Sequence, residues 1–268
     1  MLLANEMVSR KFRLKGDLNM LSQLITRWII EEVSSAQGVT SYREPVIGFA
    51  AAHDPLFPKL KEIATREHLL PSDILPGAQS VVAFFLPFAE EIVIKNRKGE
   101  WPAKEWALAY VETNQLIKRI CERLKTELRV LGIRSAFAPP THNFDPVTLS
   151  SGWSHKHVAY IAGLGRFGAH HMLITPKGCA GRIGSLVIDA FISPTPRPVE
   201  EYCLWFKERG CRVCFASCPI QALNSQGLDK ERCYQWLLKV AEAYSDLGLC
   251  DVCGKCVTGP CALGLPEG

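Results

Sequence analysis

Two segments of the chain repeat apolar residues at the spacing of an amphipathic helix. The first follows Asp17, a possible N-cap, and ends near Gly38. The second is longer, and Gly132 is a natural stop for it. The apolar stripes consist of Leu18, Leu21, Ile25, Trp28 and Ile29 in the first segment, and of Trp106, Tyr110, Ile117, Cys121, Leu124, Leu128 and Leu131 in the second. The pattern predicts two helices that each bury one face.

Short apolar runs bounded by proline, glycine or polar residues alternate with these helices. Such runs are typical of buried strands. The predicted strands cover residues 46–51, 80–86, 133–138, 171–175 and 183–188, with a further short helix over 154–162. This order predicts a mixed α/β fold. Near the C-terminus the pattern predicts short elements only, including a helix over 220–223 that Pro219 opens.

The composition is that of an ordinary globular chain and excludes several classes of function. The 268 residues are 47% hydrophobic and 22% charged, and the net charge of +4 is too balanced for a dedicated nucleic-acid clamp. No apolar run approaches the ~18 residues needed to cross a bilayer. Charged residues interrupt positions 1–15, so no signal peptide is expected. We therefore expect a cytoplasmic protein with no membrane partner.

The cysteines divide the chain into two parts. Nine of the 11 cysteines lie within residues 203–268. A reducing cytoplasm disfavours a disulfide framework of that density, and thiolates at gaps of two and three residues usually hold metal. The proline-rich segment 193–199 is the predicted linker. We predict an α/β domain over residues 1–198 and a metal-binding domain over residues 199–268.

The strongest motif is the run Cys211-x2-Cys214-x3-Cys218-Pro219. A Cys-Pro ending marks bacterial ferredoxins, in which the last cysteine of the run ligates the other of two clusters. Applied here, that crossover rule assigns Cys203, Cys211, Cys214 and Cys261 to a first [4Fe–4S] cluster, and Cys218, Cys233, Cys253 and Cys256 to a second, with Cys250 as the spare. The alternative is two zinc sites, because Cys-x2-Cys pairs also bind Zn²⁺.

A second motif, Gly163-Leu-Gly165-Arg-Phe-Gly168, matches the dinucleotide fingerprint, and Asp189 lies 21 residues beyond Gly168. That fingerprint needs a strand before it and a full helix after it, whereas Pro176 and Gly178 leave little room for a helix. Three interpretations stay open: a nicotinamide or flavin site, a glycine turn without a ligand, and a loop that brings backbone close to another large cofactor.

The residues around this motif resemble a known family. The stretch 153–168, followed by Leu173-Ile-Thr, Gly178 and Arg182-Ile-Gly184, resembles the core of the epoxyqueuosine reductases. Pro76-Gly-Ala-Gln-Ser-Val81 resembles an earlier motif of that family, and the double-cluster cysteine pattern matches as well. The resemblance covers roughly residues 46–266 and looks closest to shorter relatives of the family.

This resemblance implies a cobalamin-dependent iron–sulfur protein of the α/β (α+β) class. A nitroreductase-like cobalamin-binding domain would precede a ferredoxin-like domain with two clusters, a plan that reductive dehalogenases share. The nearest counterpart of the family's catalytic aspartate is Asp145, which could also cap the turn before Pro146. The implied corrinoid contacts are Gly163, Leu164, Gly165, Gly168, His170, Gly178 and Arg182, and a substrate carboxylate is the other expected partner of Arg182.

The first functional hypothesis is an oxidoreductase that acts on a small organic or nucleoside-like substrate. An external low-potential donor would supply electrons through two [4Fe–4S] clusters to a base-off corrinoid. One alternative is a ferredoxin-type module that reduces a partner, for example a corrinoid protein, and the other is a cluster-bearing nicotinamide or flavin reductase. Full-length family members continue into a helical-repeat domain associated with tRNA, whereas this sequence ends at Gly268, which leaves tRNA a doubtful partner.

Overall fold

The structure is a computed structural model that describes residues 15–140, 144–208 and 210–267, without the side chains of 15–19. Residues 1–15, for which no signal peptide is expected, lie almost wholly outside the described residues. The helices are α1 (Lys15–Ser34), α2 (Leu56–Ile63), α3 (Pro71–Ile74), α4 (Glu90–Arg97), α5 (Lys104–Val130), α6 (His155–Ile161), α7 (Val213–Ala216) and α8 (Lys230–Ala243). The strands are β1 (Val46–Ala51), β2 (Ser80–Pro87), β3 (Ser135–Ala136), β4 (Phe144–Asp145), β5 (Ser150–Ser151), β6 (Arg166–Phe167), β7 (Leu173–Ile174), β8 (Gly181–Ile188), β9 (Leu223–Asn224) and β10 (Gly227–Leu228).

A four-stranded antiparallel sheet with the order β1-β2-β8-β3 forms the centre of the α/β part. In its register Ala83 lies between Gly48 on β1 and Ser185 on β8. All eight residues of β2 are buried, because its neighbours cover both edges and helices cover both faces. The predicted strand over 133–138 is confirmed only as the two residues of β3, which pair with the end of β8.

Helices cover the two faces of the sheet and form three layers. On one face, Phe84 and Leu186 pack in a core with α1 and the stripe of α5. On the other face, Phe85 and Val187 pack against α2 and α6. Alternate residues of β2 therefore serve opposite cores, which is the period-two alternation of a strand. The two helices predicted from apolar stripes are confirmed, and Gly132 follows α5 with a φ of +76°.

The cysteine-rich part contains short elements, and one prediction for it is wrong. The residues 220–223 do not form a helix; α7 lies earlier, and Leu223 enters the hairpin of β9 and β10. Gln221 has a φ of +52°, a left-handed conformation that a right-handed helix cannot continue through. The helix of this part is α8, which Asp229 caps by accepting a hydrogen bond from the Arg232 amide.

The cysteine-rich part packs directly on the α/β part. Phe88 and Trp106 share one apolar cluster with Cys203, Val257 and Ala262. Arg43 adds a polar anchor, because its guanidinium donates to the carbonyl oxygens of Phe88, Lys177 and Leu263 at 2.7–2.8 Å. Among the described helices, none combines the length and apolar character that crossing a bilayer requires.

Candidate metal centres and adjoining cavities

Four cysteines from three separate segments meet in a first group. Cys203, Cys211, Cys214 and Cys261 together line one small cavity. Burial, together with the charges of the other three members, raises the pKa of the Cys214 thiol to about 12. Four thiols gathered in one cavity are unfavourable as thiolates unless a cation compensates them, and bound iron or zinc would supply that compensation.

A second group of four cysteines lines a larger cavity of about 370 Å³. It consists of Cys218, Cys233, Cys253 and Cys256. Burial raises the pKa of Cys233 to about 11, with Cys253 and Cys218 adding to the effect. Burial likewise raises the pKa of Cys256, and the charges of Cys253, Cys233 and Cys218 raise it further. The two sets of residues brought together are those that the crossover rule assigned, and their role as iron ligands stays a prediction.

Local backbone features hold the second group in place. Cys233 lies on α8, whereas Cys253 and Cys256 flank Gly254 and Lys255 in a tight turn. Gly254 has a φ of +68°, and a Cβ at this position would lie 2.2 Å from the Trp106 ring. The ammonium of the buried Lys255 donates to three carbonyl oxygens at 2.7–2.9 Å, those of Asn96, Lys98 and Gly99. Glycine and lysine are therefore both needed to seat this turn against α4 and α5.

Two further cysteines lie apart from both groups. Cys250 is fully buried beside Ala107 and Tyr110, and its thiol donates to the Tyr244 carbonyl oxygen at 3.3 Å. Cys121 lies in the apolar core between α5 and the sheet, where burial raises its pKa. Both positions are those of a small apolar side chain.

Cys179 is a neighbour of the metal centres that the sequence analysis did not single out. Its Sγ lies 3.7 Å from Cys261 Sγ of the first group, and the thiolate charge of Cys256 in the second group acts on it. The hydrogen bond from the Cys179 thiol lowers the pKa of Cys261 to about 5, and His170, whose Nε2 lies 3.5 Å from Cys261 Sγ, contributes to the shift. Cys179 therefore lies between the two groups, and its isolated position in the sequence carries no signal of this.

The glycines of the Gly-rich motif are required by contacts within the chain. A Cβ on Gly163 would lie 2.8 Å from the Pro196 carbonyl oxygen, and one on Gly165 would lie 1.9 Å from the Ile174 carbonyl oxygen. A Cβ on Gly168 would lie 2.8 Å from the His170 ring. The motif also follows a helix, α6, and contains the two-residue strand β6. This order is the reverse of the strand–turn–helix that dinucleotide binding needs, so the nicotinamide or flavin alternative loses its structural basis.

The other residues predicted to contact a corrinoid are scattered. Leu164 lies in the apolar core, His170 lines the cavity of the first cysteine group, and Gly178 packs against the Ala262 carbonyl. Arg182 alone among the seven predicted contacts lines the larger cavity. Corrinoid binding by the other six stays a prediction, and their placement gives it no support.

The larger cavity has apolar walls and buried donors that a large planar ligand would need. Trp106, Tyr110 and Phe88 supply apolar surface beside the second cysteine group. The indole Nε1 of Trp106 is buried without a hydrogen-bond partner among the described residues, although such donors are nearly always satisfied. A corrinoid, whose rim carries amide oxygens, fits this wall and this donor.

A smaller cavity of about 220 Å³ adjoins the larger one. Met172, Cys179, Gly181 and Arg182 line both cavities. Phe85, Trp153, His155, Lys156 and Ile183 are among the residues that complete the smaller cavity. Of these two adjoining cavities, only the larger one contacts the second cysteine group.

His155 is held in its neutral form in the wall of the smaller cavity. Its two ring nitrogens lie 2.8 Å from Ser185 Oγ and 3.0 Å from the Pro139 carbonyl oxygen. Burial, together with the positive charge of Arg182, lowers the pKa of His155 to about 4. The Trp153 indole donates to the same Ser185 hydroxyl at 2.9 Å, so this wall is rigid and His155 adds no charge near neutral pH.

Asp145, the predicted catalytic acid, lies at the edge of the cavities and not in their lining. It is exposed on the hairpin of β4 and β5. Its Oδ1 accepts hydrogen bonds from the amides of Val147 and Thr148 at 2.7 and 3.1 Å, which is the turn-capping arrangement. The preceding residue, Phe144, does line the larger cavity, so Asp145 is one residue from its wall.

The comparisons with known sequences point to one family. No family model matches the chain. The epoxyqueuosine reductase of Escherichia coli (strain K12) is 28% identical over 235 residues, which cover 82% of this chain and 58% of that protein. The epoxyqueuosine reductase of Bacillus cereus is 25% identical over 256 residues, which cover 81% of this chain and 62% of that protein. The resemblance expected from the motifs is confirmed, and the chain spans about three fifths of the length of these relatives.

The comparisons with solved structures agree on the fold. An epoxyqueuosine reductase bound to an epoxyqueuosine-modified tRNA stem loop gives a TM-score of 0.58 at 20% identity, covering 94% of this chain and 68% of that one. The Bacillus subtilis enzyme, with its aspartate catalytic loop swung out of the active site, gives 0.57 at 19% identity, covering 93% and 67%. A reductive dehalogenase structure linked to B12-dependent dehalogenation gives 0.53 at 16% identity, covering 79% and 28%. The predicted fold class is confirmed.

Proposed function

We propose that this chain is a cobalamin-dependent iron–sulfur oxidoreductase that reduces a small organic or nucleoside-like substrate. The observation that carries the proposal is the larger cavity, because it brings the second cysteine group and an apolar wall with a free indole donor into one space. Bound there, a corrinoid would supply a strongly reducing cobalt centre, and the clusters would supply single electrons.

The cysteine groups would hold two [4Fe–4S] clusters in series. The second group lines the larger cavity, whereas the first group lines neither that cavity nor the smaller one. The charge of Cys214 in the first group acts on Cys256 in the second, which indicates that the groups are adjacent. We therefore assign the first group to receiving electrons from an external low-potential donor and the second to delivering them to the cavity.

The domain division at residues 198 and 199 is part of the same proposal. Residues 1–198 would provide the described lining of the smaller cavity and part of the wall of the larger one. Residues 199–268 would provide the rest of the larger cavity and the cluster ligands. The segment that joins them is held against β1, because Thr195 exchanges hydrogen bonds with the backbone of Phe49 at 2.9–3.0 Å. Together with the Arg43 anchor, this contact keeps the cavity walls and the cysteine groups in a fixed relation.

Proton delivery is assigned to the hairpin that carries Asp145. In the Bacillus subtilis relative, an aspartate loop is swung out of the active site. Asp145 has the corresponding character here: it is exposed, on a two-residue strand, and one position from the cavity wall. We propose that the hairpin brings Asp145 to the larger cavity when substrate is present, and that its hydrogen bonds to Val147 and Thr148 describe the open position.

The decisive experiment is an anaerobic EPR spectrum of cob(II)alamin with and without the iron-loaded chain. We expect the base-on signal to change to base-off, and we expect Trp106→Phe to weaken this binding because it removes the free indole donor. Trp101→Phe is the matched control, since Trp101 is 48% exposed and outside the cavity. An unchanged signal with intact clusters would contradict the corrinoid and favour the electron-transfer module.

Turnover measured without a partner protein separates the enzyme from that module. A tRNA substrate is a separate question, because the tRNA complex belongs to a relative of which this chain covers 68%. The cytoplasmic location predicted from the sequence stays a prediction as well.

A further inference from the structure

The smaller cavity has an uneven distribution of charge. Two cationic side chains, Arg182 and Lys156, line it, and no aspartate or glutamate is among its described lining residues. His155 also lines this cavity, and it is neutral near pH 7 because its pKa is lowered. The remaining wall is largely apolar, with Phe85, Trp153 and Ile183 among its members. The cavity is therefore positively charged in a low-dielectric surrounding, where charge acts strongly.

Lys156 has no carboxylate within ion-pair distance among the described residues, and the one negative charge that acts on it is that of the Cys256 thiolate. Its ammonium donates to the His171 carbonyl oxygen at 2.9 Å, which uses one of its three donor positions. Burial lowers the pKa of Lys156, and the like charge of Lys230 lowers it further. No described carboxylate lies within ion-pair distance of either lysine. A bound anion would relieve this repulsion.

Arg182 is also incompletely satisfied. Its guanidinium lies over the Tyr110 ring, with the Cζ atom 4.1 Å from the ring centroid. The Nε atom is buried and has no hydrogen-bond partner among the described residues. Tyr110 and Asp251 act electrostatically on Arg182, and Tyr110 also shares a side-chain hydrogen bond with it. The Oδ1 atom of Asp251 accepts a 2.7 Å hydrogen bond from the Tyr110 hydroxyl.

The stacking of Arg182 on Tyr110 does not by itself explain these features. A cation–π contact stabilises the face of a guanidinium, whereas a buried donor that is left without a partner is unfavourable. The stack on Tyr110 instead fixes the plane of the guanidinium. The N–H groups at the edge of that plane then have a fixed direction in which to donate to a ligand. A planar fork of this kind matches the two oxygens of a carboxylate.

We propose that the smaller cavity binds the carboxylate of a small organic acid, held by Arg182 and Lys156, with the apolar body of that acid between Phe85 and Trp153. The inference rests on the proposed function, for which it names the substrate class: a small organic anion seated next to the larger cavity. A volume of about 220 Å³ suits an acid of roughly the size of benzoate.

Benzoate is the probe, and benzamide is its uncharged counterpart of nearly the same shape. Binding to the anaerobic, iron-loaded chain is measured by isothermal titration calorimetry. We expect benzoate to bind at one site per chain, and benzamide to bind at least tenfold more weakly because it cannot form the ion pairs. Absence of benzoate binding, or equal affinity for the two probes, overturns the proposal.

Variants test the two cations separately. Arg182→Gln and Lys156→Met should each weaken benzoate at least tenfold and leave benzamide unchanged. Arg182→Lys should fall between Arg182→Gln and the unmodified chain, because it keeps the charge and loses the fork. Arg134→Gln is the matched control, since Arg134 pairs with Asp189 at the surface and lines neither cavity. Iron content and circular dichroism confirm folding, and benzoate affinity that survives Arg182→Gln contradicts the assignment.

Titration with benzoate in the presence of cobalamin shows whether Arg182 and Lys156 bind the substrate or the corrinoid. If benzoate and hydroxocobalamin bind together, Arg182 and Lys156 serve the substrate as proposed. Competition between them would assign these cations to the corrinoid and overturn the inference. Benzoate binding by a chain that gives no base-off cobalamin signal would instead contradict the proposed function and leave the anion site intact, so the two failures are distinguishable.

Discussion

The α/β part and the cysteine-rich part of this chain are held together by different forces. The sheet is buried along β2 on both faces, and two apolar cores account for its packing. In the cysteine-rich part the long helix α8 has Val240 as its single buried residue among those described. A buried cation, Lys255, holds one of its turns through hydrogen bonds to backbone carbonyl oxygens. The two groups of cysteines lie around these turns. Apolar burial thus explains the packing of the first part, whereas the proposed clusters would add metal–thiolate bonds to the second.

Loss of one cluster should produce the largest difference between the two parts of the chain. Cys218→Ala should reduce the iron content from about eight to about four per chain, because each cubane holds four irons. Hydrogen exchange should then accelerate in α8 and residues 250–261 while the amides of β2 stay protected, since the apolar cores do not depend on metal. Iron analysis and exchange mass spectrometry measure both effects.

Cys250→Ala is the matched control for that experiment. Its thiol bonds a backbone carbonyl and lies outside both groups, so the iron content should remain at about eight per chain. Iron loss in Cys250→Ala, or unchanged iron in Cys218→Ala, would contradict the ligand assignment.

Replacement of the Lys255 ammonium should be the next largest effect. Lys255→Met keeps the length of the side chain but leaves the carbonyl oxygens of Asn96, Lys98 and Gly99 without their donor. We expect the free energy of unfolding to fall by about 3 kcal/mol, because hydrogen bonds to a charged group are the strong ones. Urea unfolding of the iron-loaded protein measures this loss.

The control for Lys255→Met is Lys177→Met. Lys177 pairs with Glu44 in an exposed ion pair, and such pairs contribute at most about 1 kcal/mol. Equal losses in the two variants would show that the buried cation is not an anchor of the cysteine-rich part.

Asp145→Asn tests whether Asp145, at the edge of the cavities, donates a proton or only caps its turn. Asparagine keeps the Oδ1 acceptor for Val147 and Thr148, so the turn should persist and the fold should be unchanged. If Asp145 is the acid, kcat should fall by about a hundredfold or more, the usual contribution of a positioned proton donor. A rate equal to that of the unmodified chain would leave Asp145 with its capping role alone.

The smallest expected effect concerns Cys179, which lies between the cysteine groups. Cys179→Ala removes the thiol that donates toward Cys261 and should lower the reduction potential of the first cluster. A hydrogen bond of about 1 kcal/mol corresponds to about 45 mV for a one-electron couple. EPR-monitored redox titration measures the shift, and Cys121→Ala, in the apolar core, should leave the potential unchanged.

Much of the fold follows from local pattern, and the exceptions have physical causes. The stripe of α5 and the runs of β1, β2 and β8 were predictable because each buries one face or both. The helix predicted over residues 220–223 was wrong because Pro219 can open a helix but cannot enforce one, and the positive φ of Gln221 turns the chain into a hairpin.

In the candidate site, too, some features were predictable from the sequence and others were not. The cysteine spacing alone indicated which thiols would meet, since ferredoxin-type runs follow a crossover rule. The Gly-rich motif was ambiguous from its letters, because glycine is required wherever backbone approaches anything closely. Here the close neighbours are the chain's own carbonyl groups at Pro196 and Ile174, which no local pattern could reveal.

The sequence by itself determined the main helices and strands of the α/β part and indicated the two sets of four cysteines, because periodicity and short spacings are local properties. Tertiary structure alone decided what surrounds them: the thiol of Cys179 between the two groups, the free edge of Arg182 over Tyr110, and Lys156 beside another lysine. These contacts join residues from distant parts of the chain. Their chemistry depends on burial and charge, which only the folded arrangement creates.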